Sequence, residues 1–369
     1  MTIAVGMSGG LDSTMAALLL KESGAQVIGL TMQIWVGEAQ PGGAHKSGCY
    51  GPGELADIQD ARLACERIGI PHYVVDLTEE YARIVLHDFS HEYLDGRTPN
   101  PCILCNPLIK FGVMLRKARA SGIEFRYFAT GHYARITFDS ASGRYRLRKG
   151  IDPLKDQSYY LYRLNQAQLS QVLFPLGEYT KKQVRELAKQ KGFPEYVHKP
   201  ESQNFIDGGN YQSFFTEEET HPGEIVDLQG KVFGEHKGIH NFTIGQRKGL
   251  RTGGLAEPLY VIDKDVASGR VTVGPKESLQ FNELSAGQLN WIAFENLAEP
   301  LRAKAAFRYH QPPADCQATP LDGRRMRVVF DQPQTAATPG QSVVLYQDDT
   351  MLGGGIIEAV RFFHQGHPK

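Results

Sequence analysis

The chain is short of several things at once. Its formal net charge is −1, with 40 lysines and arginines against 41 aspartates and glutamates, so bulk electrostatics announce neither nucleic acid nor a membrane surface. Its 5 cysteines (Cys49, Cys65, Cys102, Cys105 and Cys316) are too sparse and too odd in number for a secreted disulfide framework, and reduced thiols, reactive or metal-binding, are expected instead. No apolar run is long enough to span a bilayer and the N-terminus does not read as a signal peptide, so a cytoplasmic protein without a membrane partner is expected. Neither an internal repeat nor a low-complexity tract is evident.

What the chain does have is length, since 369 residues allow two or three domains with cores of their own. Its most chemically pointed stretch is Gly6-Met7-Ser8-Gly9-Gly10-Leu11-Asp12-Ser13, set between the apolar run Ile3-Ala4-Val5 and a helical pattern over 14–21. A short strand, three glycines and a helix let backbone N–H groups close around an anion, assisted by the helix dipole. The spacing lacks the Gly-Lys-Ser/Thr ending of the nucleoside-triphosphate P-loop and the later glycines of a dinucleotide fingerprint. A plain strand-to-helix turn is the alternative.

Further along, residues 26–32 read as a second strand, and 37–53 as a glycine-rich, structureless loop carrying Cys49. Residues 54–68 have helical periodicity, with Cys65 on the apolar side, and a strand follows at 72–77. A helix over 79–94 precedes a proline-punctuated loop, 96–107, that holds Cys102-Ile103-Leu104-Cys105. The next helix is expected over 108–120, with Asn106 as N-cap and Pro107 at the first position, which would favour a Cys105 thiolate. A strand at 127–130 ends in Gly131-His132-Tyr133.

Strand and helix alternating in this way predict an α/β doubly wound parallel sheet, with ligands at the carboxyl ends of the strands. The loop at Gly6, Met32 and Gly131 all fall at such ends. Beyond them come a basic hairpin (135–139 and 145–149), helices over 165–173 and 180–191, and a linker over 193–209. From Gly223 the texture changes to short strands and turns, and from about Ser285 to alternating strands of a small antiparallel β barrel. Residues 110–149 hold about ten basic residues against two acidic ones, while 51–99 and 201–236 are predominantly acidic. Such asymmetry can orient a polyanion; scattered solvated charge is the alternative.

Ser8-Gly9-Gly10-Leu11-Asp12-Ser13 resembles the signature loop of the PP-loop (N-type) ATP pyrophosphatases. That resemblance implies a loop holding the β- and γ-phosphates of ATP while a substrate oxygen attacks the α-phosphate. Added to it are Gly96-Arg97-Thr98-Pro99-Asn100-Pro101 with Cys105-Asn106 and Lys110-Phe111, Ala129-Thr130-Gly131-His132-Tyr133, and Lys155-Asp156-Gln157-Ser158-Tyr159. Gly245-Gln246-Arg247-Lys248-Gly249-Leu250 and Leu352-Gly353-Gly354-Gly355-Ile356-Ile357 complete the set. Together they make the chain similar, almost end to end, to the bacterial tRNA-specific 2-thiouridylases.

The resemblance implies a PP-loop catalytic domain over 1–205, a small mixed central domain over 206–280 and a C-terminal β barrel over 281–369. It implies ATP-dependent replacement of the 2-oxygen of the tRNA wobble uridine by sulfur, through an adenylated base, with AMP and pyrophosphate released. ATP with Mg2+ would be held by Gly6, Met7, Ser8, Gly9, Gly10, Leu11, Asp12, Ser13, Met32 and Gly131. The target base would lie near Asn100, Pro101 and Cys102, with Gln341 also close, and tRNA would be contacted by His132, Lys155, Asp156, Gln157, Arg308 and Tyr309. Cys105 takes the nucleophile's place.

Two positions depart from that family. Cys102 stands where common members carry aspartate, and Asn204 stands where a second, persulfide-carrying cysteine belongs, within Pro200-Glu201-Ser202-Gln203-Asn204-Phe205-Ile206. What remains is Cys102 and Cys105 plus Cys49. Three thiolates can hold three irons of a [4Fe–4S] cluster and leave the fourth open for hydrosulfide. A Cys102/Cys105 persulfide and resolving pair and a structural zinc are the alternatives, and the sulfur donor would be sulfide or a persulfide-carrying protein. Rival functions are a PP-loop sulfurtransferase on another acceptor and a non-catalytic tRNA- or nucleotide-binding homologue.

Overall fold

A computed structural model describes residues 1–35, 37, 48–199, 204–206, 211, 214–216, 219–250 and 257–363. Two compact units result: one of Met1–Val85, Pro101–Tyr211 and Asp349–Leu352, the other of Leu86–Asn100, Gln212–Asp348 and Gly353–Lys369.

The first unit is built on a five-stranded sheet of β1 (Thr2–Gly6), β2 (Gln26–Gln33), β4 (His72–Asp76), β5 (Tyr127–Ala129) and β8 (Val172–Leu173), in the order β4-β2-β1-β5-β8. Every pairing in it is parallel. A central parallel strand is covered on both faces and reads as continuous apolar sequence, as Ile3, Ala4 and Val5 do, all at or below 3 % exposure. Helices α1 (Leu11–Glu22), α2 (Glu54–Ile68) and α8 (Lys181–Gln190) supply small residues to the covering layer: Ala16, Ala17, Ala61, Ala64 and Ala188 are fully buried. Cys65 packs there as a core residue. Because β2 and β5 flank β1 on opposite sides, the chain changes direction at β1, which opens a crevice at the carboxyl ends of β1 and β5.

Four expectations are corrected in this unit. The helix expected over 165–173 ends at Leu169 (α7, Gln166–Leu169, boxed by Asn165 and Gln168), and Val172 and Leu173 pair with Phe128 and Ala129 as the fifth strand. Within the loop expected over 37–53, Gly48–Tyr50 forms β3 and pairs in parallel with β9 (Asn204–Ile206). The linker expected over 193–209 thus contains that strand and a 3₁₀ turn, Pro194–His198; residues 38–47, 200–203 and 207–209 lie outside the described residues.

The fourth correction bears on chemistry. The helix expected to begin at 108 starts at Pro101 and runs through α5 (Pro101–Leu104), a π-helical stretch (Cys105–Val113) and α6 (Met114–Ala120). Proline inside an α-helix clashes with the carbonyl four residues back, and wider i→i+5 winding relieves that demand; the Met114 N–H bonds the Ile109 carbonyl in this way. Asn106 is therefore not an N-cap: it is buried and its amide donates to the Tyr160 carbonyl at 3.2 Å. Between β4 and this run stand α3 (Thr78–Tyr81), a second π-helical stretch (Ala82–Leu86) and α4 (His87–Leu94).

The basic hairpin forms as β6 (Ala134–Asp139) and β7 (Arg144–Lys149). Its charges are largely spent on carboxylates: Arg146 pairs with Asp139 at 2.7 Å, and Arg135 and Arg148 with Asp349 at 2.7 and 2.8 Å.

The second unit holds β10 (Gly223–Val226), β11 (Val232–His236), β12 (Tyr260–Asp265) and β13 (Arg270–Gly274) as a four-stranded sheet over Ile225, Val261, Val271 and Val273. Its barrel comprises β14 (Gln280–Trp291), β15 (Leu301–Ala306), β16 (Ala314–Pro320), β17 (Met326–Thr335), β18 (Ser342–Gln347) and β19 (Thr350–Phe362). The order β14-β17-β16-β15-β18-β19 closes through β14 on β19, around the edge-on rings of Phe281, Phe307, Phe330 and Phe362. Among the described residues no helix is long and apolar enough to cross a membrane.

Candidate nucleotide and thiol site

Gly6 to Ser13 leaves the carboxyl end of β1 and enters α1. Gly10 is the N-cap and has no side chain to satisfy the first-turn N–H groups, which therefore face the crevice as donors for an anion. The loop is fixed from within: Ser13 Oγ accepts from the Ser8 N–H at 3.2 Å and donates to the Gly10 carbonyl at 3.1 Å, and Thr14 Oγ1 donates to the same carbonyl at 2.9 Å. Gly9 is left-handed, at φ 73°, and an added Cβ would stand 2.7 Å from Cβ of Asp60, so no other residue fits there. Lys199 ties this turn down, donating to the Gly9 carbonyl at 3.2 Å and to Asp60 at 2.6 Å.

Gly131, after β5, is brought against the same helix start: a Cβ there would lie 2.7 Å from the Asp12 carbonyl carbon. Met32 lies near the end of β2, beside Val75 of β4. His132 is fixed by Thr130, whose Oγ1 is 2.6 Å from Nδ1, and by the rings of Phe111 and Phe174. Burial, with the Lys110 ammonium second, holds its pKa well below 6.5, so the imidazole is neutral at pH 7.

Cys49, Cys102 and Cys105 act on one another electrostatically. All five cysteines are free thiols, and Cys49, on β3, is exposed. Burial, then Cys49 and Cys105, pushes Cys102 up to about 12 against the pull of Lys110. Burial pushes Cys105 up to about 11; Lys110 opposes and Cys49 adds to the rise. The expectation of a thiolate favoured by a helix N-terminus is therefore corrected, because Cys105 sits inside the helical run rather than before it. All three thiols also act on buried Tyr81, whose hydroxyl is raised well above 10, chiefly by burial. Tyr81 stacks on Tyr50 at 5.6 Å, so thiols and aromatic rings share one wall. Among the described residues no three His, Cys, Asp or Glu side chains are grouped closely enough to hold a single metal ion.

The remaining expected residues have structural partners. Asp156 accepts from Gly150 and Ser158 N–H at 3.1 and 3.0 Å, and burial raises its pKa against those bonds. Gln157 exchanges bonds with the Tyr133 backbone, while the Lys155 N–H donates to the Asp152 carbonyl. In the second unit, Gln341 donates to the Thr98 and Pro99 carbonyls at 2.8 and 3.3 Å, fixing the approach to Asn100. Arg308 donates to the Ala336 carbonyl and, with Tyr309, lines a cavity of about 470 Å³. Sequence reasoning missed Glu54, whose carboxylate accepts from Ile34 and Trp35 N–H at 2.7 and 3.0 Å; it also missed Tyr133 and Lys181, which hold Asp12. Tyr133 closes the Ala129-Thr130-Gly131-His132-Tyr133 motif without a role assigned to it, and Lys181 follows a Thr180-x-x-Gln183 capping box.

A parallel α/β sheet with a glycine loop between its first strand and helix, open at the strand ends, is the architecture of a HUP-type domain. Residues 1–206 match the model described as tRNA methyl transferase HUP domain, 213–275 the tRNA methyl transferase PRC-barrel domain, and 281–357 the aminomethyltransferase beta-barrel domain. Full-length relatives named tRNA-specific 2-thiouridylase MnmA include one from Acetivibrio thermocellus, 45 % identical over 96 % of this chain and 99 % of its own. Another, from Geotalea uraniireducens, is 47 % identical over 96 % and 94 %. The chain belongs to the tRNA-specific 2-thiouridylase family. Solved structures with some likeness include a 4-thiouridine synthetase–RNA complex with bound ATP, at TM-score 0.35 and 17 % identity over 55 % of this chain and 44 % of that one.

Proposed function

We propose that this protein is a tRNA-uridine sulfurtransferase that replaces the 2-oxygen of the wobble uridine by sulfur at the expense of ATP. The observation that carries the reading is the meeting of the Gly6–Ser13 anion cradle with Gly131 at the adjoining ends of β1 and β5, in a unit that also carries Cys49, Cys102 and Cys105. The family relationship adds the acceptor: relatives of similar length, 45–47 % identical, are named for thiolation of tRNA uridine.

The N–H groups of the α1 start hold the polyphosphate, with Mg2+ bound to ATP sharing its charge. The uracil 2-oxygen attacks the α-phosphorus: an O–P bond forms, the bond to pyrophosphate breaks, and the carbonyl oxygen becomes part of a good leaving group. A sulfur anion then adds to C2, and the C2–O bond breaks as AMP leaves. Cys105, with Cys102 beside it, is where sulfur is delivered. Asn100, Pro101, His132, Lys155, Asp156, Gln157, Arg308, Tyr309 and Gln341 are assigned to tRNA and its target base.

A [4Fe–4S] cluster would draw on Cys49, Cys102 and Cys105, three soft thiol donors that act on one another electrostatically; among the described residues they do not form a ready-made metal site. When bound, such a cluster would supply an open iron for a hydrosulfide donor. Lys110 favours the thiolate form of Cys102 and Cys105 against the effect of burial.

The test is incubation of anaerobically purified protein with ATP, sulfide and unmodified tRNA, read by mass spectrometry. 2-Thiouridine with stoichiometric AMP is the expected result, lost in Cys105→Ser and Cys102→Ser. AMP without a thiolated base would point to another acceptor, and neither product would leave a binding protein. Thiolation by iron-free protein would remove the cluster from the reaction and leave hydrosulfide itself as the species that adds to C2.

A further inference from the structure

Asp12 is an odd residue to find in an anion cradle. It occupies the second position of α1, where a carboxylate suits the helix dipole but repels a polyphosphate bound to the same N–H groups. The structure shows how that charge is met. Lys181 Nζ lies 2.8 Å from both carboxylate oxygens of Asp12, and the Tyr133 hydroxyl donates to Oδ1 at 2.9 Å. The Lys181 side chain is 6 % exposed and that of Asp12 31 %, so the lysine lies behind the carboxylate and the carboxylate keeps one open side.

Two ordinary forces oppose Lys181 at this position. It is the first residue of α8, where the helix dipole disfavours a cation, and it is buried, which disfavours its charge again. A charge placed against both is held by a specific partner, and Lys181 is held at both ends: its backbone N–H donates to Asp152 Oδ2 at 2.8 Å while its ammonium takes Asp12. Asp152 in turn starts the turn carrying Lys155 and Asp156.

Resting on the reading of Gly6–Ser13 as the nucleotide cradle, we propose that Lys181 is a positioning residue for ATP. It neutralises Asp12 from behind, so that the first turn of α1 presents its N–H groups to the polyphosphate without an uncompensated carboxylate beside them. Tyr133 fixes the rotamer of the same carboxylate, and Gly131 lets its loop approach close enough to do so.

A charge-compensation role makes a prediction that a packing role does not. In calorimetric titrations with ATP and magnesium, Lys181→Met should bind ATP at least tenfold more weakly than wild type, whereas Lys181→Arg should stay within threefold. Removing the charge that needs compensation should rescue binding: Asp12→Asn/Lys181→Met should bind ATP more tightly than Lys181→Met and within threefold of Asp12→Asn alone. Lys181→Gln, which keeps a donor to the carboxylate without the charge, gives the same readout where the methionine variant does not fold. Wild-type affinity in Lys181→Met or Lys181→Gln, or a double variant as weak as the single, overturns the inference while the ATP site stands. A wild-type protein that binds no ATP overturns the site and the inference together.

Discussion

Glu54 shows how much of the site rests on single side chains outside any motif. It is 7 % exposed, and its two oxygens each take a backbone N–H, from Ile34 and Trp35, fixing the chain where β2 ends just beyond Met32. A charged acceptor of two buried donors contributes on the order of 1.5–3 kcal/mol. Glu54→Gln keeps one acceptor and turns an amide donor toward an N–H. It should lower stability by about 2 kcal/mol in urea titrations and weaken ATP binding; an unchanged midpoint would show that the carboxylate is not needed there. Such a residue is illegible in sequence, because a glutamate opening a helix looks like ordinary dipole complementarity. The hairpin arginines erred the other way: as sequence they formed a basic patch, and the structure answers Arg135, Arg146 and Arg148 with carboxylates, one of which, Asp349, is about 200 residues distant along the chain.

At the scale of elements, the parallel sheet was legible because buried strands read as unbroken apolar runs and the glycine loop marks the strand-to-helix turn. What the pattern hid were elements whose local sequence argues for something else. Val172 and Leu173 continue a helical periodicity and are claimed by the edge of β5. Gly48–Tyr50 and Asn204–Ile206 become strands only by pairing with each other, about 150 residues apart. Pro107, the usual sign of a helix start, lies in the middle of one, because π winding accommodates it. That winding also moves the thiols: Cys105 and Lys110 are five residues apart, far out of phase in a helix of about 3.6 residues per turn but brought toward one side when turns widen to i→i+5. Gly112 is the residue that permits it, since a Cβ there would stand 2.8 Å from the Pro107 carbonyl oxygen. Gly112→Ala should force the backbone to shift, with a loss of about 1–3 kcal/mol and of thiolation beyond what stability explains. Wild-type turnover in that variant would free the chemistry from the π-helical register.

At the scale of the whole molecule, each compact unit carries one of the chain's 2 tryptophans, Trp35 in the first and Trp291 in the second. In Trp35→Phe, fluorescence therefore reports the second unit alone, which also contains the buried imidazoles of His236 and His240. Burial lowers the pKa of His236 against the bond from Nε2 to the Gly269 carbonyl. Burial, then His236 and Lys264, lowers that of His240, which stacks on Phe215. Lys264, beside them, is itself depressed to about 8 by burial. A histidine whose folded pKa lies below its unfolded value of about 6.5 takes up its proton first in the unfolded chain. Its contribution is thus complete above about pH 7 and is lost as pH falls from there, at no more than about 1.4 kcal/mol per pH unit for each imidazole. Urea midpoints of Trp35→Phe should accordingly fall shallowly between pH 8 and 7, where folded Lys264 completes its protonation, and fall again between pH 6.5 and 5 as the histidines charge in the unfolded chain. His240→Phe, which preserves the ring on Phe215 and removes the proton site, should give a shallower fall over that window. Coincident slopes for the two proteins would locate the acid sensitivity of this unit elsewhere than at His240.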